Sequence, residues 1–291
     1  MINVALIGCG YWGSKLRRYI EENNDFNLRY ICDSKSDLDE VWNDEQVNAV
    51  VIATRNDTHY SIAKAVLLHN KNVLCEKPLA LKTEECEELK QIALTRNLTL
   101  TVEYTYTFSR SLRLAVKMVE EGEIGRVLGI EACTRHLGRF GGGSVYWLLG
   151  SHMLSVLDMF VPVKDLSFWK RDLVTFEGEV ETGITLFEGE NVRGQIVVSL
   201  NYPGKETRVI VYGEKGTIIY DPISRPSLRI VKYERAKWVV GDKLLQERSE
   251  IHYDESNNLR YVIEYFAQAL RGEVESNIDR AVVITRVLEG L

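Results

Sequence analysis

The sequence lacks the features that mark membrane-spanning and disulfide-stapled proteins. No apolar run reaches the roughly 18 residues needed for a transmembrane helix. The first residues, MINVALIG, have neither the basic start nor the long apolar core of a secretion signal. The five cysteines are odd in number and widely spaced, which disfavours a disulfide framework and favours a reducing compartment. We therefore expect a cytoplasmic protein with no membrane partner.

An excess of positive charge is also missing. The chain has 36 Lys and Arg against 42 Asp and Glu, a formal net charge of -6. This balance argues against nucleic acid as a partner. No cysteine–histidine spacing offers a zinc ligand set, so no metal is expected. The 291 residues, 45% of them hydrophobic, are enough for two domains that each bury a core.

Up to Gly122 the chain alternates short apolar runs with amphipathic helical patterns. Strands are predicted over residues 4–7, 28–32, 49–53, 72–75 and 98–103, and helices over 12–22, 61–69, 83–96 and 112–121. Continuously apolar strands separated by helices predict a parallel sheet covered on both faces.

The pattern changes after Gly122. A strand is predicted over 126–134, an apolar helix over 144–160, and a succession of short runs with turn residues over 165–231. GEKG at 213–216 is typical of a hairpin turn. Two helices, over 256–271 and 279–288, complete the pattern. We therefore predict two domains, 1–122 and 123–291.

A glycine-rich signature follows the first strand. Gly8, Gly10 and Gly13 match G-x-G-x-x-G, and the motif opens a helix, which is the context in which it binds a dinucleotide. The first glycine permits a tight turn, the second lets a pyrophosphate approach, and the third allows close helix–strand packing. Tyr11 and Trp12 belong to the same turn, whose amides would face the phosphates.

An acidic residue is expected about 20 residues later to bind the ribose hydroxyls. Asp33 ends the second strand at that place. Its carboxylate would repel a 2′-phosphate, which favours NAD over NADP, although Lys35 nearby weakens this preference. The alternative is an ordinary strand–helix turn in which Asp33 caps a helix.

At residues 73–80, VLCEKPLA, the sequence resembles the glucose–fructose oxidoreductase / inositol dehydrogenase (Gfo/Idh/MocA) family. Supporting stretches are VVIAT at 50–54 with Asn56 and His59 after it, EG and IG at 121–125, the segment around His152, and GEKGT at 213–217. The resemblance runs from residue 1 to about 290 in the family's order.

The resemblance implies an α/β protein. A Rossmann dinucleotide-binding domain would precede an α/β domain with a large, mostly antiparallel open sheet. It also implies an NAD(P)-dependent oxidoreductase that transfers a hydride between the nicotinamide and a hydroxyl-bearing carbon of a sugar, polyol or sugar nucleotide. Relatives are oligomers, so a homodimer or homotetramer is expected.

In the family the lysine of Glu-Lys-Pro lies beside the nicotinamide and the reacting hydroxyl, which singles out Lys77 as catalytic. The resemblance further assigns Thr54, Asn56 and His59 to the loop over the nicotinamide ribose. Glu76 would pair with that ribose or with Lys77. The alternative is that Lys77 is a surface lysine at a strand end.

The second family signature is an Asp followed four residues later by a His. Here His152 is present, but the position four before it is Leu148, which neither ionises nor accepts a hydrogen bond. Three hypotheses follow: His152 and Lys77 form an acid–base pair, Lys77 acts alone while His152 binds substrate, or catalysis is lost.

Substrate contacts are predicted at Tyr104, Arg135, Tyr146 and Trp147, from their places after the last Rossmann strand and around the glycine-rich segment 141–143. The alternatives are that Tyr104 is an aromatic core residue and that Arg135 lies in a solvated loop. Two further functions stay open. One is an NAD-using glycoside hydrolase of the same family, and the other is a cofactor-binding protein without catalysis.

Overall fold

The computed structural model describes residues 1–291, apart from the side chain of Asp242. The chain divides into two compact units. The first combines Met1–Thr105 with Asn257–Gly290, and the second is formed by Tyr106–Ser256. Among the described residues, no helix is both long and apolar enough to cross a membrane.

The first unit is built on a parallel five-stranded sheet in the order β2-β1-β3-β4-β5. Its strands are β1 (Ile2–Ile7), β2 (Phe26–Cys32), β3 (Ala49–Ile52), β4 (Asn72–Glu76) and β5 (Leu100–Glu103), and its first helices are α1 (Tyr11–Glu21), α2 (Asp39–Asn43), α3 (His59–Leu68) and α4 (Thr83–Thr95). All residues of β3 and β5 are buried, as expected for strands covered on both faces.

The second unit holds an eight-stranded sheet in the order β13-β12-β11-β10-β6-β9-β8-β7. Its elements are α5 (Arg110–Glu120), β6 (Val127–Leu137), α6 (Ser151–Phe160), β7 (Ser167–Phe176), β8 (Glu179–Glu188), β9 (Arg193–Ser199), β10 (Asn201–Gly213), β11 (Gly216–Tyr220), β12 (Leu228–Tyr233) and β13 (Leu245–Ile251). All of its pairs are antiparallel except β6 with β9. The predicted fold class, a Rossmann-like sheet plus a large, mostly antiparallel sheet, is confirmed.

Strand alternation gives the second sheet one covered and one open face. On β6, the side chains of Ile130, Ala132 and Thr134 are buried on the face where α6 packs. Those of Glu131 and Arg135 point to the other face, because successive side chains of a strand alternate.

The last two helices, α7 (Asn258–Leu270) and α8 (Ile278–Gly290), pack on the first unit. The ring of Phe266 stacks on that of Phe26, with 6.0 Å between centroids and 15° between planes. Glu289 accepts hydrogen bonds from the backbone N–H and the hydroxyl of Thr83, at 2.9 and 2.6 Å. A carboxylate of α8 thus satisfies a free amide at the start of α4.

This division differs from the predicted boundary between 122 and 123. Helix α5 packs on β11 and β12 of the second unit, and α7 and α8 return to the first. The physical reason is that a helical period shows which face of a helix is apolar, but not which sheet that face will cover.

We expect Phe266→Ala to lower the free energy of unfolding by about 3–5 kcal/mol, because the ring is fully buried in the first unit. Denaturant unfolding measures the loss. Gln268→Ala, at an exposed position of the same helix, should change stability by less than about 0.5 kcal/mol. Amide exchange should accelerate in β1 and β2, and acceleration confined to Tyr106–Ser256 would contradict the assignment of α7.

Candidate functional site

A tight turn joins β1 to α1. Gly8 has a φ of +91°, which L side chains rarely adopt, and a Cβ there would lie 2.5 Å from the carbonyl oxygen of Ala53. A Cβ on Gly13 would lie 1.9 Å from the carbonyl oxygen of Gly8. Helix α1 therefore approaches the end of β1 more closely than any side chain would allow.

Gly10 differs from the other two glycines of the turn. Apart from Gly10 itself and its neighbours along the chain, no heavy atom of the described structure lies within 4 Å of the position of a Cβ on Gly10. The helix begins at the next residue, Tyr11, so its free amides and the positive end of its dipole lie beside this open space. The ammonium of Lys15 lies 4.2 and 4.4 Å from the ring centroids of Tyr11 and Trp12, which adds positive charge to the first turns of the helix.

Asp33 is exposed at the carboxyl end of β2. Its Oδ1 accepts hydrogen bonds from the backbone N–H of Lys35, at 2.8 Å, and from the hydroxyl of Ser36, at 3.1 Å. The bond from the Lys35 backbone and that from Ser36 lower the pKa of Asp33. The carboxylate is therefore ionised and held in place at neutral pH.

The loop after β3 lies beside the glycine turn, because β3 is the neighbour of β1 in the sheet. The hydroxyl of Thr58 donates to that of Thr54, at 2.8 Å, and Asn56 begins a short 3-10 turn. Arg55 pairs with Asp57, at 2.8 Å, and stays exposed. In the strand order, winding reverses between β1 and β3, which is where open α/β sheets bind ligands.

His59 is buried and joins two loops. Its Nδ1 lies 2.7 Å from the carbonyl oxygen of Pro78, and its Nε2 lies 3.2 Å from that of Thr54. Burial lowers the pKa of His59, so the ring is neutral at pH 7 and donates from one nitrogen, which the shorter distance assigns to Nδ1. The structure thus places His59 as a brace that holds the loop of Thr54 against the cis Lys77–Pro78 segment.

Two carboxyl groups and a lysine meet where β4 and β5 end. Glu76 and Glu103 are paired in the strand register and are buried, and Lys77 is half-buried. The hydroxyl of Thr105 donates to Glu103. Burial, then the charge of Glu103, raises the pKa of Glu76, and burial raises that of Glu103. Glu103 was not predicted from the sequence, and its place at the end of a buried strand, beside Glu76, was the available signal.

In the second unit His152 lies on the covered side of the sheet. Its ring meets that of Tyr106 edge to face, with centroids 5.3 Å apart. The hydroxyl of Thr207 lies 3.4 Å from that of Tyr106 and 3.2 Å from that of Thr134. An imidazole and three hydroxyls are therefore grouped in this unit.

The helix predicted over 144–160 is not α-helical throughout. Tyr146–Gly150 forms a π-helical turn, a rare element found frequently at functional sites, and α6 follows it. Leu148 lies in this turn, near Gly142, and Trp147 is half-buried there. The structure therefore keeps an aliphatic side chain where the family has its carboxylate.

The other three predicted substrate contacts are Tyr104, Tyr146 and Arg135. Tyr104 is fully buried in the first unit. Tyr146 is buried against Gly183 and donates to Asp172, at 2.9 Å. Arg135 lies on the open face of the second sheet, paired with Glu206 at 2.6 Å, opposite the face of Thr134. Strand alternation and burial, which local sequence does not fix, account for these placements, and the roles of the three as substrate contacts stay predictions.

Among the described side chains, no group of three or more His, Cys, Asp or Glu is arranged to hold a metal ion.

The architecture and the turn define a class, a dinucleotide-binding Rossmann-like unit with an appended antiparallel-sheet unit. Comparison with known proteins gives the family. The model described as "Oxidoreductase family, NAD-binding Rossmann fold" matches residues 2–104, and "GFO/IDH/MocA C-terminal domain" matches residues 112–219. The chain belongs to the Gfo/Idh/MocA family.

Individual relatives match over part of their length. The "Uncharacterized oxidoreductase YhhX" of Escherichia coli is 30% identical over 202 residues, 63% of this chain and 56% of the relative. The 2,7-anhydro-N-acetylneuraminate hydratase of Mediterraneibacter gnavus is 29% identical over 141 residues, 44% of this chain and 38% of the relative. The chain thus aligns with between about two-fifths and three-fifths of these relatives.

Among solved structures, the UDP-N-acetylglucosamine 3-dehydrogenase of Acidithiobacillus ferrooxidans superposes with a TM-score of 0.86 at 15% identity. The superposition covers 100% of this chain and 96% of that one. At this identity the likeness concerns the fold.

The residues of the first unit fit the NAD that the family implies. The space beside Gly10 and the start of α1 suit a pyrophosphate, and the ionised Asp33 suits ribose hydroxyls.

We expect Gly10→Ala to leave the free energy of unfolding within about 0.5 kcal/mol of the parent, since nothing nearby meets its Cβ. Its affinity for NADH should fall at least about tenfold, because the methyl group takes the space of the pyrophosphate. Titration of NADH fluorescence and denaturant unfolding measure the two effects.

Two control variants distinguish a loss of NADH binding from a loss of stability. Gly13→Ala should destabilise the protein by about 1–3 kcal/mol, because the Gly8 backbone meets its Cβ. Gly290→Ala, also at an open position, should change neither property. Unaltered NADH affinity in Gly10→Ala would contradict the placement of the pyrophosphate.

Proposed function

We propose that the protein is an NAD(P)-dependent oxidoreductase that acts on a hydroxyl-bearing carbon of a sugar, polyol or sugar nucleotide. The observation that carries the proposal is Lys77, half-buried at the carboxyl edge of a sheet whose glycine turn fits a dinucleotide. The bound nicotinamide supplies hydride transfer. The protein supplies binding, orientation and proton transfer.

Lys77 is proposed to hold and move the proton of the reacting hydroxyl. It follows Glu76 at the end of β4, and the hydrogen bond from His59 to the carbonyl oxygen of Pro78 holds the backbone beside it. Glu76 and Thr54 with Asn56 are proposed to contact the cofactor from the ends of β4 and β3. Each of these groups follows a strand that ends at the same edge.

His152 is proposed to bind the substrate hydroxyl and to share in proton transfer, as its counterpart does in the family. Its contact with the ring of Tyr106 orients the imidazole without the carboxylate that Leu148 replaces. Trp147, half-buried in the π-helical turn, is retained as a substrate contact.

A second candidate reaction consumes substrate without net change of NADH. The relative named as a hydratase supports it, because a hydratase adds or removes water. In that case the bound NAD would supply a transient oxidation, as in the NAD-using glycosidases that the resemblance implies. Product analysis beside the nicotinamide absorbance distinguishes the two reactions.

We also propose that the protein is a cytoplasmic homo-oligomer. All five cysteines are free thiols, as a reducing compartment requires. Size-exclusion chromatography with light scattering measures the assembly.

The cofactor preference is tested at Asp33. We expect NADH to bind about tenfold more tightly than NADPH, because the ionised carboxylate repels a 2′-phosphate. Asp33→Ser should narrow or reverse this ratio, and Asp37→Ser, at a second exposed aspartate after β2, should leave it unchanged. Tighter NADPH binding by the parent would refute the preference.

The catalytic assignment is tested once a panel of sugars, polyols and sugar nucleotides has identified a substrate by nicotinamide absorbance. Lys77→Ala should lower kcat by about 10²–10⁴, and His152→Ala by about 10–10². Lys82→Ala, at an exposed lysine beyond the same loop, should retain the parent kcat. Parent-like turnover in both site variants would end the assignment.

A further inference from the structure

The carboxyl pair formed by Glu76 and Glu103 is a feature that the proposed function does not use fully. The two residues lie opposite each other in the parallel register of β4 and β5. Adjacent strands are about 4.8 Å apart, so side chains on the same face are neighbours. Glu76 is 7% exposed and Glu103 2% exposed. Two carboxyl groups are therefore held side by side away from water.

The hydrogen bonds of the pair are unevenly distributed. Glu103 receives the hydroxyl of Thr105. Oε1 of Glu76 is buried and has no hydrogen-bond partner among the described residues. Neighbouring carboxyl groups can hydrogen-bond each other only when one of them carries a proton, because an ionised carboxylate only accepts.

The groups that face the pair set its charge. The ammonium of Lys77 acts on both carboxyls, the thiol of Cys75 is buried beside Glu76, and the neutral ring of His59 lies toward Lys77. With both carboxyls ionised, the cluster would bury an unbalanced negative charge. With one proton on the pair, the charge balances that of Lys77, which is the cheaper arrangement in a buried site.

Burial disfavours the charged form of both carboxyl groups. Burial and the charge of Glu103 hold the pKa of Glu76 well above its usual range, and burial raises that of Glu103. Such a pair loses its protons in two separate steps that belong to the pair as a whole.

We propose that Glu76 and Glu103 share one proton at neutral pH, and that Glu103 is a positioning residue that sets the charge beside Lys77. The role of Glu103 in proton transfer rests on the proposed function, whereas the sharing of the proton does not.

Infrared spectroscopy of the ligand-free protein at pH 7 tests the sharing directly. A protonated carboxylic acid gives a carbonyl band, separate from the carboxylate bands, that shifts in heavy water. The parent should show one such buried acid. Glu103→Gln and Glu76→Gln should each lose it, because the carboxyl that remains ionises as the single counter-charge of Lys77.

A matched control is available in the second unit. Glu181 is also buried, at 8% exposure, and its Oε2 accepts from the amide of Asn201, at 3.0 Å. Glu181→Gln should leave the acid band of the parent unchanged. Parent protein without the band, a band that survives Glu103→Gln, or a band lost in Glu181→Gln would each overturn the proposal.

The positioning role is tested by the pH dependence of kcat. In the parent, the pair gains a second negative charge as pH rises, which favours the ammonium form of Lys77. Glu103→Gln removes that second charge, so the limb of the profile governed by Lys77 should move toward lower pH by about one unit. The KM for NADH should stay within about twofold. A profile that does not move would overturn the positioning role.

The two experiments distinguish a failure of the proposed function from a failure of the shared-proton proposal. If no sugar is turned over but the infrared band behaves as expected, the proposed function fails and the shared proton stands. If turnover is found and the band is absent from the parent, the shared proton fails and the proposed function stands.

Discussion

The convergence of parallel strands at one edge is the constraint on which the first unit depends. Because all five strands run the same way, the residues that follow them meet at a single edge. The turn after β1 and the loop after β3 leave the sheet side by side, and the Gly8 backbone packs directly against the carbonyl of Ala53. The third glycine of the motif brings α1 onto the same turn. A side chain at Gly8 or Gly13 would push these segments apart. The open space beside Gly10 therefore depends on the absence of side chains at Gly8 and Gly13.

Carboxyl groups at this edge of the sheet have pKa values shifted in opposite directions. Asp33 ends an outer strand, is exposed, and receives a backbone N–H and a hydroxyl, so its pKa falls. Glu76 ends the inner strand β4 and Glu103 ends the edge strand β5, but both are buried, and burial raises their pKa values. Burial therefore decides which of these carboxyl groups has a lowered pKa and which has a raised one. His59 is also buried, and burial lowers its pKa, so its ring stays neutral.

Local features of this chain could be predicted from its sequence, but which elements and side chains pack against each other could not. The apolar runs of β1 to β5 and the glycine turn depend on neighbouring residues, so both were predicted correctly. The partner of α7 depends on Phe266 meeting Phe26, which lies 240 residues earlier in the chain. Arg135 faces away from Thr134 because of strand pleating, and Glu103 becomes significant only through its register with Glu76. Site residues were predictable where a motif fixes the backbone, and less so where burial decides.

Leu148 stands where the family has an aspartate four residues before His152. In the second unit the ring of His152 contacts that of Tyr106, whose hydroxyl lies 3.4 Å from that of Thr207. In the first unit, two carboxyl groups lie beside Lys77. With one proton shared between them, the cluster is neutral when the lysine is protonated and carries a single negative charge when it is not. Two ionised carboxylates would leave two unbalanced charges in the second state, which a buried edge tolerates poorly. If the proton is shared as proposed, an uncharged lysine faces one negative charge rather than two until the pair loses that proton at higher pH.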